Sequence, residues 1–240
     1  MTAAILLALV AMHMAMILWR GRAFRGSVGR SRDLHGRAAV LRGWAMGVAV
    51  TFGLPAVIGL ALLGGPAPWD VPPRPFWTMA HTLYDAGLYL SVTPLIVGMV
   101  AGTVANAGIS VWRARTGRRP IQIGHFPDIR PQTGREVLPA ILLSVSAGVS
   151  EELYFRLLLP LLIALVSGSA PAGFGVAALL FGAVHRYQGV RGVVATTLGG
   201  SVLAFVYLGT GALWVAMLFH IVIDLNALIV RPMAARLAQR

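Results

Sequence analysis

The chain of 240 residues contains no cysteine and no lysine, and only eight of its residues are acidic. Without cysteine there are no disulfides and no thiolate metal sites, and the redox compartment leaves no mark on the sequence. The shortage of acids leaves a net charge of +12, carried by arginine alone. Even so, charged residues make up only 12% of the chain, far below the roughly 25% of soluble domains. Hydrophobic residues make up 57% and the mean hydropathy is +0.76, so the chain reads as an integral membrane protein.

The arginines fall in clusters between apolar runs, without interleaved aromatics. This pattern argues for loops facing anionic lipid and against nucleic acid as a partner. The amino-terminal stretch MTAAILLALVAMHMAMILW lacks a basic lead and a small-residue cleavage site. It reads as a retained first span rather than a removed signal peptide.

A helical span needs about 20 mostly apolar residues. Seven segments approach that requirement, at residues 2–19, 43–63, 80–111, 136–166, 170–189, 191–208 and 211–230. Between the first two lie Arg20, Arg22, Arg25, Arg30, Arg32, Arg37 and Arg42, and residues 113–135 hold Arg113, Arg115, Arg118, Arg119, Arg130 and Arg135. Arg186 and Arg191 fall at the turn between the fifth and sixth segments, and the tail holds Arg231, Arg236 and Arg240. By the positive-inside rule, all these clusters share one side if the amino terminus is outside and the carboxyl terminus cytoplasmic. The expected fold is all-α: one polytopic membrane helical bundle over residues 1–240, with about seven transmembrane helices. The fifth segment is short if it ends at His185. It then either continues past a snorkelling Arg186 or leaves His185 at the cytoplasmic mouth of a cavity.

Glu151 and Glu152 lie inside the apolar run LPAILLSVSAGVSEELYFRLLLPLLIALV. Two adjacent carboxylates there cost several kcal/mol (about 2–4 each) unless something uses or neutralises them. Four residues apart on a helix, Glu152 and Arg156 share a face and can pair, while Glu151 points about 100° away, free to face a cavity. His185 and His220 come from two further segments, and Asp224 lies one turn beyond His220, where it can fix the ring's tautomer. Glu151, His185, His220 and Asp224 could together activate a water and stabilise an oxyanion, which makes amide hydrolysis the chemistry to consider. No GxSxG, HExxH or cysteine nucleophile competes with it.

EELYFR fits EExxxR at Glu151, Glu152 and Arg156, FGAVH fits FxxxH at Phe181 and His185, and HIVID fits HxxxN/D at His220 and Asp224. Taken in this order on successive hydrophobic segments, they resemble the CPBP family of intramembrane proteases, also called the CAAX protease and bacteriocin-processing, or Abi, family. The resemblance covers about residues 136–230, the expected catalytic core. It implies that Glu151 and His185 activate the attacking water and that His220 and the Asp224 position form the oxyanion side. Asp stands here where the prenyl-protein proteases have Asn, and an ionised Asp donates no hydrogen bond, so orienting His220 or ligating a metal suits Asp224 better. Glu152, Arg156 and Phe181 are supporting residues.

The expectation is that no cofactor is required. Zinc is the candidate if a metal is bound, with Glu151, His185 and His220 as its ligands. The expected partners are the lipid bilayer and a membrane-associated protein or peptide substrate, in the inner (cytoplasmic) membrane. The alternative is a non-catalytic membrane scaffold or bacteriocin self-immunity protein of the same family. His13, His35, His81 and His125 are given no chemical role, Asp85 and Asn106 find no partner spacing, and the small-residue runs are read as close helix packing.

Overall fold

The computed structural model describes residues 1–20, 34–64, 72–119 and 129–238. Arg22, Arg25, Arg30, Arg32, His125 and Arg240 lie outside them, as do the side chains of Arg20 and His35. The described residues are helical, with no strand among them. In chain order the helices are α1 (Thr2–Arg20), α2 (Leu34–Val48), α3 (Leu54–Leu62), α4 (Trp77–Asp85), α5 (Val92–Arg115) and α6 (Val137–Glu152). They are followed by α7 (Leu159–Ser167), α8 (Ala170–Val184), α9 (Gly189–Thr210), α10 (Leu213–Leu225) and α11 (Arg231–Leu237).

Three pairs of these helices run on through a widened, π-type turn: α2 to α3 at Ala49–Gly53, α6 to α7 at Leu153–Leu158, and α10 to α11 at Asn226–Val230. Each turn ends two residues before a proline, at Pro55, Pro160 and Pro232. Proline has no N–H to donate and its ring presses on the carbonyl four residues back. Widening the turn relieves that pressure: the residue before each proline bonds five residues back, Leu54 to Ala49, Leu159 to Tyr154 and Arg231 to Asn226.

Among the described residues, five helical stretches are long and apolar enough to cross a membrane: Thr2–Trp19, Gly36–Leu62, Val92–Arg115, Arg186–Thr210 and Leu213–Leu237. Helix α8 is apolar but shorter. The expected segment at 80–111 is not one helix. Helix α4 ends at Asp85, Gly87 takes a left-handed φ of +71°, and the Leu90 N–H donates to the Gly209 carbonyl at 2.9 Å before α5 begins. The turn between α7 and α8 is set by Gly168 at φ +73° and by the Ser169 hydroxyl, which accepts from the Ala172 N–H.

The core is the α6–α7 run, buried almost throughout from Ser150 to Leu162. It is surrounded by α1, α2, α3, α8, α9 and α10. Glycines let the helices approach closely. A Cβ on Gly148 would lie 2.9 Å from the Ile221 backbone nitrogen on α10, and one on Gly173 would lie 2.6 Å from the Pro160 carbonyl on α7. Such small-residue crossings suit helices whose surroundings are as apolar as their own side chains.

Candidate active site

The α6–α10 crossing at Gly148 sets the two glutamates of α6 beside His220 of α10. Glu151 is 6% exposed, Glu152 is fully buried, and His220 is 7% exposed. Glu152 uses both oxygens: Oε2 lies 3.0 Å from Arg156 Nε, and Oε1 accepts from His220 Nδ1 at 2.7 Å. A carboxylate can only accept, so Nδ1 carries the ring hydrogen and Nε2 is left for the cavity side. There Nε2 stands 3.9 Å from Glu151 Oε2 and 3.9 Å from Asp224 Oδ2.

Helix α8 brings the second imidazole. His185 caps its end, and its Nδ1 donates to the Phe181 carbonyl at 2.7 Å. The carbonyl fixes the tautomer, so Nε2 of His185 is the acceptor. The Phe181 ring links the site's parts: its centroid is 4.8 Å from the His185 ring, 5.9 Å from His220 and 5.2 Å from Phe155. The Arg156 guanidinium carbon sits 4.2 Å from its centroid. That face contact matters because, among the described residues, no nitrogen of buried Arg156 has a hydrogen-bond partner of good geometry, leaving the Glu152 ion pair and the ring to hold the charge.

Glu151, His185, His220 and Asp224 all line one cavity of about 520 Å³. Of the two ways to accommodate the short fifth segment, the structure takes the cavity: α8 stops at Val184 and His185 lines the space. Glu152, Arg156 and Phe181 stand behind this wall. The orientation expected from Asp224 is supplied at Nδ1 by Glu152, because the helix crossing places that carboxylate 2.7 Å away whereas Asp224 stays 3.9 Å from the opposite nitrogen.

Several cavity residues carried no signal in the sequence. His13 of α1 lines it, with Nδ1 3.3 Å from the Tyr154 hydroxyl. So do Arg186 and Tyr187 in the 3₁₀ turn after His185. A lone His among methionines on a lipid-like helix looks like a packing residue, and only the fold reveals its neighbours. Tyr154 lies three residues after Glu151 on the same helical face, and that spacing was a readable cue.

No group of three or more His, Asp or Glu side chains among the described residues is placed to hold a metal ion. Nδ1 of both histidines is engaged and Nε2 of each is free, and each cavity carboxylate stands 3.9 Å from Nε2 of His220. That spacing is wider than donors gathered around one ion.

Residues 133–226 match the family of type II CAAX prenyl endopeptidases, Rce1-like. Over that segment the chain is similar to the CAAX protease, or CPBP, family. The matched segment runs from the entrance of α6 to the start of the π turn after α10, and so holds Glu151, Glu152, Arg156, Phe181, His185, His220 and Asp224. That family is one of proteases, and the helices long and apolar enough to cross a membrane fit a multi-pass membrane protein. No curated protein and no solved structure matches the chain.

Proposed function

We propose that this chain is an intramembrane endopeptidase that hydrolyses a peptide bond of a membrane-associated protein or peptide, using water activated by Glu151 and His185. The observation that carries the reading is the convergence of Glu151, His185, His220 and Asp224 from three helices on one cavity within an apolar bundle.

The chemistry follows from which atoms are free. Water donates one hydrogen bond to the Glu151 carboxylate and another to the bare Nε2 of His185, which aims its oxygen at the substrate carbonyl carbon. The C–O bond forms as Glu151 takes the proton and the carbonyl becomes an oxyanion. Nε2 of His220, in the imidazolium form, donates to that oxyanion while Glu152 balances the positive ring. Glu151 then passes its proton to the amide nitrogen, the C–N bond breaks, and a carboxylic acid and an amine leave. Each step uses protein groups and water, so the reading is of a glutamate-dependent hydrolase that requires no metal.

The catalytic core is residues 136–230, within one membrane domain of residues 1–240. Seven spans are formed by α1, α2–α3, α5, α6–α7, α8, α9 and α10–α11. The amino terminus is outside and the carboxyl terminus cytoplasmic, in the cytoplasmic membrane, with the site opening toward the cytoplasmic leaflet. The arginine clusters support this orientation. Nucleic acid has no part in the function. A non-catalytic scaffold is the competing reading, and one comparison separates them. Membranes from cells carrying the intact chain and from cells carrying Glu151→Gln are compared for protein termini. The reading expects a membrane protein whose new terminus disappears with Glu151→Gln, whereas identical termini in both would favour the scaffold.

A further inference from the structure

Beside the catalytic groups, the cavity wall has a second polar patch that the hydrolysis does not use. It is the 3₁₀ turn Arg186–Gln188, which follows His185 directly. Arg186 is half-buried and lines the cavity, as do Tyr187 and Gln188. Arg186 is the one arginine among the described lining residues, while the other ionisable groups there are Glu151, Asp224, tyrosine and histidines.

Its position is fixed but its donors are largely unspent. One terminal nitrogen, Nη2, donates to the Leu18 carbonyl in the last turn of α1, the one hydrogen bond that holds the side chain among the described residues. A guanidinium has five N–H donors in a planar fork, shaped for two carboxylate oxygens. Tyr187 adds to the patch. Its hydroxyl accepts from Gln188 Nε2 at 3.3 Å, which leaves its own hydrogen to donate into the cavity. Two donor groups, one cationic, therefore sit one and two residues from His185, and the guanidinium is the one side chain on the described wall that always carries positive charge. A group held there must supply acceptors and negative charge.

We propose that Arg186, with Tyr187, is a specificity determinant that holds a carboxylate of the substrate within a few residues of the scissile bond. The inference rests on the endopeptidase reading and names what that site selects. The carboxylate is a free carboxyl terminus or an acidic side chain. A snorkelling arginine serving only lipid phosphate would give no such selection.

The test uses the purified full-length protein in detergent micelles with two matched pairs of quenched-fluorescence peptides. One pair differs by a carboxyl-terminal acid against amide, the other by Asp against Asn near the cut. The proposal expects the intact protein to cut the acid of at least one pair about 10 to 100 times faster in kcat/KM than its neutral twin. The responding pair identifies the carboxylate's source. Arg186→Gln should reduce that ratio to about one, and Arg186→Lys should keep part of it. Binding of the same peptides to the Glu151→Gln protein, followed by fluorescence anisotropy, reads the preference without turnover. Absence of cleavage with a persisting Arg186-dependent acid preference would count against the endopeptidase reading and for this one. Equal handling of both twins by the intact protein, or a ratio unchanged in Arg186→Gln, overturns the assignment of Arg186.

Discussion

Helices α5 and α6–α7 are both apolar, yet the structure treats them in opposite ways. No residue of α5 is buried, whereas nearly every residue from Ser150 to Leu162 is. Hydropathy alone cannot separate a helix that faces lipid from one that faces protein, because lipid tails are as apolar as leucine. The polar residues make the distinction. In α6–α7 the acids, Arg156 and Tyr154 find partners on α1, α8 and α10, while α5 is tied to the bundle through Asn106 and Thr103, both bonded to Asn226.

The largest contrast should appear in catalysis. Glu151→Gln keeps the shape of the side chain and removes its basicity, so cleavage should fall by about 10²–10⁴-fold with folding intact. Asp85→Asn, at an exposed carboxylate closing α4, should leave the rate unchanged. Matched cleavage assays and thermal melts check both.

Next comes the buried ion pair. Removing Glu152 alone strands Arg156 and frees the His220 ring, which should cost about 3–5 kcal/mol of stability. Replacing both partners, as in Glu152→Gln with Arg156→Met, should recover part of the melting temperature but none of the activity. If activity returned as well, Glu152 would have no part in orienting His220.

Packing differences should be smaller. A Cβ on Gly182 would meet the Thr197 hydroxyl and lie 2.9 Å from the Val193 carbonyl, so Gly182→Ala should destabilise by about 1–3 kcal/mol. Gly98 and Gly102 on α5 have nothing within 4 Å, and Ala there should change stability by less than about 0.5 kcal/mol. Asn106→Ala should cost about 0.6 kcal/mol, the size typical of a hydrogen bond between membrane helices. Equal melts across the Gly182 and Gly98 pair would show that the two regions are packed alike.

What could be read in advance was what repeats locally. The Glu152–Arg156 pair follows from four-residue spacing, and the apolar runs mark the helices. The contact of Glu152 with His220 spans 68 residues and depends on a close crossing at Gly148, which no local pattern encodes. The break after Asp85 was missed because the Leu90 N–H finds its acceptor far along the chain, at Gly209. The prolines at 55, 160 and 232 were visible, and each could have signalled the widened turn before it. His13 and Arg186 gave no warning, since a single polar residue at a helix end or on a methionine face reads as packing or snorkelling.

The central claim is that Glu151, His185 and His220 act together on one water and one carbonyl. It is tested most directly by the cleavage rate of Glu151→Gln combined with His185→Ala or His220→Ala, measured beside the single variants. The account predicts that each double variant stays within a few-fold of Glu151→Gln alone, because groups serving one step fail together. Losses that multiply would contradict it.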